Sequence, residues 1–199
     1  APSLFITIFT LLLLSTTISQ SPPPAPSPAS DARIGVYLSY TYFGGAQLPP
    51  TLKSDPTHQP YRFQSTLTIL NNGLDDLKSW KVFVGFQHNE FLVSASNAVL
   101  ADGTTLPAGV GNGTVFAGYP TTDLKTAVET AGDMTQMSAQ IDLVGTQYGV
   151  GSNSTPMPAN NSLVNDGFVC PTHILQGMNF ATGFVNFSCM CVCVYLNCV

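Results

Sequence analysis

The chain has 199 residues, with only 6 lysines and arginines against 11 aspartates and glutamates, a net charge of −5, and 9% charged residues. A chain this sparse in positive charge lacks the clustered basic side chains that hold phosphate backbones, which excludes nucleic acid as a partner. Its 44% hydrophobic residues, 17 glycines and 15 prolines supply one core and the turns to link many short elements.

The first segment, "LFITIFTLLLLSTTI" (Leu4–Ile18), is apolar and uncharged. It is short for a bilayer span, and Thr17 and Ser19 suit the minus-three and minus-one positions of a cleavage site. Residues 1–20 therefore read as a secretory signal peptide. The alternative, a membrane anchor, would want a positive flank after the stretch, and none follows. Next, "SPPPAPSPAS" (Ser21–Ser30) is proline-rich; fixed φ and missing N–H donors predict an extended linker over residues 21–33. Folding begins near Ile34.

From there the apolar period is two. Phe63, Ser65, Leu67 and Ile69 alternate with Gln64, Thr66 and Thr68, which predicts a half-buried strand. "NNG" (Asn71–Gly73) predicts a turn. Trp80, Val82, Val84 and Phe86 then share one face of a second strand, so the chain's single tryptophan belongs to a core stripe. Strand signals follow at Phe91–Leu100, at Gly113–Tyr119, and in "MTQMSAQIDLVG", where Met137, Ala139, Ile141 and Leu143 oppose Ser138, Gln140 and Asp142. Only "DLKTAVETA" has helical spacing, through Leu124, Ala127, Val128 and Ala131, with Thr122 or Asp123 as cap. The expected fold is all-β, a β-sandwich over 34–177 with at most one short helix.

Sequons at Asn112, Asn153, Asn160 and Asn186, behind a signal-like segment, predict N-glycosylation in the secretory pathway. No constellation of catalytic residues emerges. His58, His88 and His173 lack metal-ligand spacing, and there is no nucleophile elbow, phosphate loop or dinucleotide fingerprint. Nothing selects a carboxylate pair for glycoside hydrolysis. The reading is therefore of a non-enzyme with no cofactor and no metal. Four of the five cysteines crowd into "SCMCVCVYLNCV", so residues 178–199 are expected to form a cysteine-rich tail outside the folded module.

The stretches "SYTYFGGAQLPP", "QPYRFQSTLTILNNGLDDLKSWKVFVGFQHNE", "LVSASNAVLADGTTLP", "GNGTVFAGYPTTDLKTAVETAGD" and "IDLVGTQYGV" occur in order between about Gly35 and Gln176. Together they resemble the COBRA-like family of plant proteins, and more narrowly the N-terminal domain of its larger branch. The hairpin around Trp80 is also similar to the central strands of family 2 carbohydrate-binding modules. The resemblance implies a non-catalytic extracellular protein of the cell wall and outer plasma-membrane face, acting in cellulose microfibril deposition. Its partners would be cellulose or a related wall polysaccharide, and wall-synthesis proteins. Membrane attachment in the family is through a C-terminal lipid anchor, which this chain is expected to lack. A cysteine usual in the family near Arg33 is missing, which would leave Cys170 without a partner.

With Trp80 in the core, sugar binding would fall to tyrosines, since ring faces stack on sugar C–H surfaces. Tyr40 and Tyr42 share one strand face with Val36 and Leu38, and Tyr37 and Phe43 share the other. Either one face is a platform or both are packed. Tyr40, Tyr42 and Tyr61 are the carbohydrate-binding candidates. The alternative function is a protein-interaction or scaffolding domain with no sugar affinity.

Overall fold

The computed structural model describes residues 35–150, 156–170, 174–179 and 184–193. In chain order the strands are β1 (Val36–Gln47), β2 (Pro60–Asn71), β3 (Lys81–Val84), β4 (Phe91–Ala95), β5 (Ala98–Leu100), β6 (Ala108–Gly109) and β7 (Thr114–Gly118). Two single-turn helices follow, α1 (Ala127–Thr130) and α2 (Met134–Met137). The remaining strands are β8 (Ser138–Tyr148), β9 (Asn161–Leu163), β10 (Phe168–Val169), β11 (Ile174–Asn179) and β12 (Phe184–Cys193). The fold is an all-β sandwich. One sheet runs β10-β12-β1-β2-β8-β4-β6 with β11 also on β12, and a smaller sheet runs β5-β7-β3-β9.

Period-two alternation becomes rungs across the large sheet, because directly opposed residues of antiparallel strands face the same way. Leu38, Ile69 and Ala139 form one inward rung, and Tyr40, Leu67 and Ile141 the next. The small sheet answers with Leu100, Phe116, Val82 and Leu163. All these side chains belong to one buried cluster, together with Trp80, Val84 and Phe86. Trp80 is 1% exposed, and its indole Nε1–H donates to Thr121 O at 3.2 Å. An added Cβ at Gly118 would lie 2.6 Å from Trp80 Cε2, so the ring needs a glycine beside it.

Three expectations are corrected. Phe91–Leu100 is two strands rather than one: Asn97 at φ 55 turns the chain out of the large sheet, where β4 pairs β8, into the small one, where β5 pairs β7. The helical stretch yields two one-turn helices rather than at most one, capped by Thr126 and Asp133 rather than by Thr122 or Asp123. The residues before Thr126 are recruited by the Trp80 segment. Leu77 and Leu124 form a two-way backbone bridge, Trp80 N–H donates to Thr122 O, and Ser79 N–H donates to Asp123 Oδ1 at 2.8 Å.

The third correction concerns the tail. Of residues 178–199, expected outside the sandwich, Phe184–Cys193 forms β12 and pairs β1 from Val36↔Cys191 to Tyr42↔Val185. Without it, β1 would present a row of unpaired N–H and C=O groups beside its buried Val36, Leu38, Tyr40 and Tyr42. Cys170 has a partner after all, bonded to the fully buried Cys191.

Candidate functional site

The outward rungs of the large sheet are mostly polar, with Ser39 and Thr66 among them buried. Along β2 they are Arg62, Gln64, Thr66 and Thr68; along β8, Thr146, Val144, Asp142 and Gln140 stand opposite them in that order. On β1, Gly44 is opposite Gln64, Thr41 opposite Thr66, and Ser39 opposite Thr68. The register between β1 and β2 slips between Tyr42 and Gly44. Such a bulge re-aims side chains, and Phe43 within it is 46% exposed. Because Gly44 has no side chain, the rung through Gln64 and Val144 is open at its β1 end, with Phe43 as the wall. The result is a furrow of about 300 Å³ lined by Phe43, Gln64, Thr66, Gln140, Asp142 and Val144, among others.

Asp142 organises the furrow. Its Oδ1 accepts from Thr66 Oγ1 at 2.8 Å and from Gln140 Nε2 at 3.0 Å, and its Oδ2 accepts from Ser96 Oγ at 3.3 Å. Ser96 Oγ in turn accepts from Asp142 N–H at 2.8 Å. The Gln140 amide, and after it the Thr66 and Ser96 hydroxyls, hold the Asp142 carboxyl below its ordinary value of 3.8. The site thus offers an ionised acceptor and two amides beside one aromatic ring, with the Thr66 hydroxyl buried beneath and committed to Asp142. That set complements the hydroxyls and C–H faces of a sugar. Among the described residues no group of His, Cys, Asp and Glu is placed to hold a metal ion.

The tyrosine candidates lie elsewhere. Tyr40 is 2% exposed and Tyr42 5%, both on the inward face, so neither presents a ring to a ligand. This corrects their assignment as a platform. They fill the gap between the sheets together with Trp80, Phe63, Phe86 and Phe116. Burial raises the Tyr40 phenol far above its usual range and also raises that of Tyr42, whose Oη accepts from Gln147 Nε2 at 3.4 Å. Tyr61 is half-buried, opposite Gln47 and Gln147. Val82, Val84 and Phe86 are buried with Trp80. Of the sequons, Asn112 and Asn160 are exposed, Asn186 sits in β12 opposite Thr41, and Asn153 lies outside the described residues.

The furrow residues were visible in the sequence as the polar halves of two alternating strands. What the sequence did not carry was that Gln64, Thr66, Gln140 and Asp142 are neighbours, because that depends on the register of segments 76 residues apart.

No family model matches the chain. It is 54% identical over 180 residues to COBRA-like protein 9 of Arabidopsis thaliana, covering 84% of this chain and 27% of that protein. To COBRA-like protein 7 of the same plant it is 56% identical over 150 residues, or 75% of this chain and 22% of the relative. The chain belongs to the COBRA-like family. A more distant member, COBRA-like protein 10, is 41% identical over 182 residues. This COBRA-like chain spans about a quarter of the length of the curated relatives it matches.

Proposed function

We propose that this COBRA-like chain is a non-catalytic extracellular module that helps deposit and organise cellulose microfibrils in the plant cell wall, binding polysaccharide weakly through the outer furrow of its large sheet. The observation that carries the reading is the furrow itself: one exposed aromatic ring beside two amides and a carboxylate, set on a sheet face. Weak binding follows from its shallowness and from a single ring, since stacking contributes modestly per aromatic. Localisation is read as the secretory pathway and the wall-facing side of the plasma membrane. No helix among the described residues is long and apolar enough to cross a membrane.

The test is retention on crystalline cellulose of the secreted chain and of its Phe43→Ala and Asp142→Ala variants. Retention of the parent with loss in both variants supports the reading. Full recovery of a folded parent in the unbound fraction removes it.

A second reading, a scaffolding domain for wall-synthesis proteins, is favoured by one feature. The edge strand β5 borders an apolar cavity of about 430 Å³ lined by Ala98, Val99, Leu100, Thr104 and Leu106, among others. An exposed edge beside an apolar surface suits a protein segment better than a sugar.

A further inference from the structure

We infer that Asp142 makes the furrow selective for neutral polysaccharide over chains that carry uronate groups; this rests on the polysaccharide-binding reading above. Among the residues lining the furrow, Asp142 alone has a formal charge, and it is exposed. Its donors Thr66, Gln140 and Ser96 are all neutral, so they hold the carboxylate in place without cancelling its charge. Ion pairs among the described residues join Asp55 with His58, and Lys125 with Asp76 and Glu129; none reaches Asp142. The other charged residue of the outward rungs, Arg62, lies four positions along β2 from Thr66, which stands opposite Asp142. That is roughly 14 Å of strand, beyond the ~8 Å Debye length at physiological salt, and Arg62 does not line the furrow.

The two carboxylate oxygens are not equally engaged. Among the described residues, Oδ1 accepts from both Thr66 and Gln140, whereas Oδ2 accepts from Ser96 alone and keeps a lone pair for a ligand. A sugar hydroxyl donates there in a charge-assisted bond. A uronate group has no carboxyl proton to give at neutral pH and meets like charge instead. At about 4 Å in water such a contact weakens binding roughly fivefold. The chain's net charge of −5 adds a repulsion of longer range. One carboxylate thus serves a neutral glycan and opposes an acidic one.

The experiment is calorimetric titration of the secreted chain with two soluble ligands of one backbone, cellohexaose and its counterpart oxidised to the carboxylate at every C6. A chelator keeps divalent cations from bridging carboxylates. The parent is compared with Asp142→Asn, which is isosteric but uncharged, and with Arg62→Gln; circular dichroism checks that each is folded. Titrations are run at about 0.01 M and about 1 M salt, where the Debye length is about 30 Å and about 3 Å. The parent should bind the neutral ligand severalfold more tightly at low salt, and the ratio of the two affinities should shrink at high salt. Asp142→Asn should bring the low-salt ratio close to one, while Arg62→Gln keeps a ratio at least as large as the parent's. Equal affinities in the parent, tighter binding of the oxidised ligand, or a ratio untouched by Asp142→Asn would overturn the selectivity and leave the polysaccharide reading in place. If the Asn variant binds neither ligand, the parent's salt dependence decides, and a ratio that does not fall at high salt overturns the inference. A parent with no affinity for either ligand would remove both.

Discussion

Trp80 shows how one side chain sets its surroundings. Its ring is buried between the sheets, satisfied by Thr121 O and accommodated by Gly118. Trp80→Ala should cost about 3–5 kcal/mol in denaturant unfolding, the range for emptying a buried aromatic site. Gly118→Ala should cost about 1–3 kcal/mol by overpacking the same site, and the parent's fluorescence should be blue-shifted until it unfolds. An emission maximum typical of water in the native protein would contradict this placement. Asp142 makes a different prediction, about pH. Its carboxyl is held below 3.8 in the fold, by Gln140 first and then by the Thr66 and Ser96 hydroxyls. Its contribution to stability is therefore complete above the unfolded value and is lost as pH falls through the lower folded value. In Asp142→Asn, the parent's drop in melting temperature below about pH 4 should be smaller. Identical pH profiles for the two proteins would show that the network does not favour the ionised form.

At the scale of elements, β12 matters most, because it sets how much of the chain is fold. It pairs β1 along seven residues, and its Cys191 is tied to Cys170 across 21 positions of sequence. Replacing both cysteines with serine should cost about 2–4 kcal/mol, as for closing a loop of this length. Removing residues 178–199 should lower the melting temperature by many degrees, since β1 then loses its outer partner. A truncated chain that melts with the parent would show β12 to be dispensable. The sequence made β2, β3 and β8 legible, because each buries one face and exposes the other, and period two survives that arrangement. β12 was hidden by its composition. Alternating Cys189, Cys191 and Cys193 have the period of a strand but suggest thiol chemistry before they suggest a sheet. The short helices were half legible. Apolar spacing marked the region, but tertiary pairing of Leu77 with Leu124 drew its first residues into an extended bridge.

The whole molecule divides its aromatic residues between two tasks. Trp80, Phe63, Phe116, Tyr40 and Tyr42 are spent on joining the sheets, and Gly145 makes room for Phe63 as Gly118 does for Trp80. Among the described residues, Phe43 is one of the few large rings left outside, alongside Phe91 at 40% and Tyr119 at 64% exposure. The candidate site could not be found by looking for aromatic residues, because most of those in the quoted motifs are core. It follows instead from the polar face that the core leaves outside. The most direct measurement is a backbone amide chemical-shift titration of the isotopically labelled chain with cellohexaose. Shifts should concentrate at Phe43, Gln64, Thr66, Gln140 and Asp142, with Trp80, Tyr40 and Tyr42 unmoved. Shifts centred on β5 and Leu106, or none at saturating sugar, would contradict this placement.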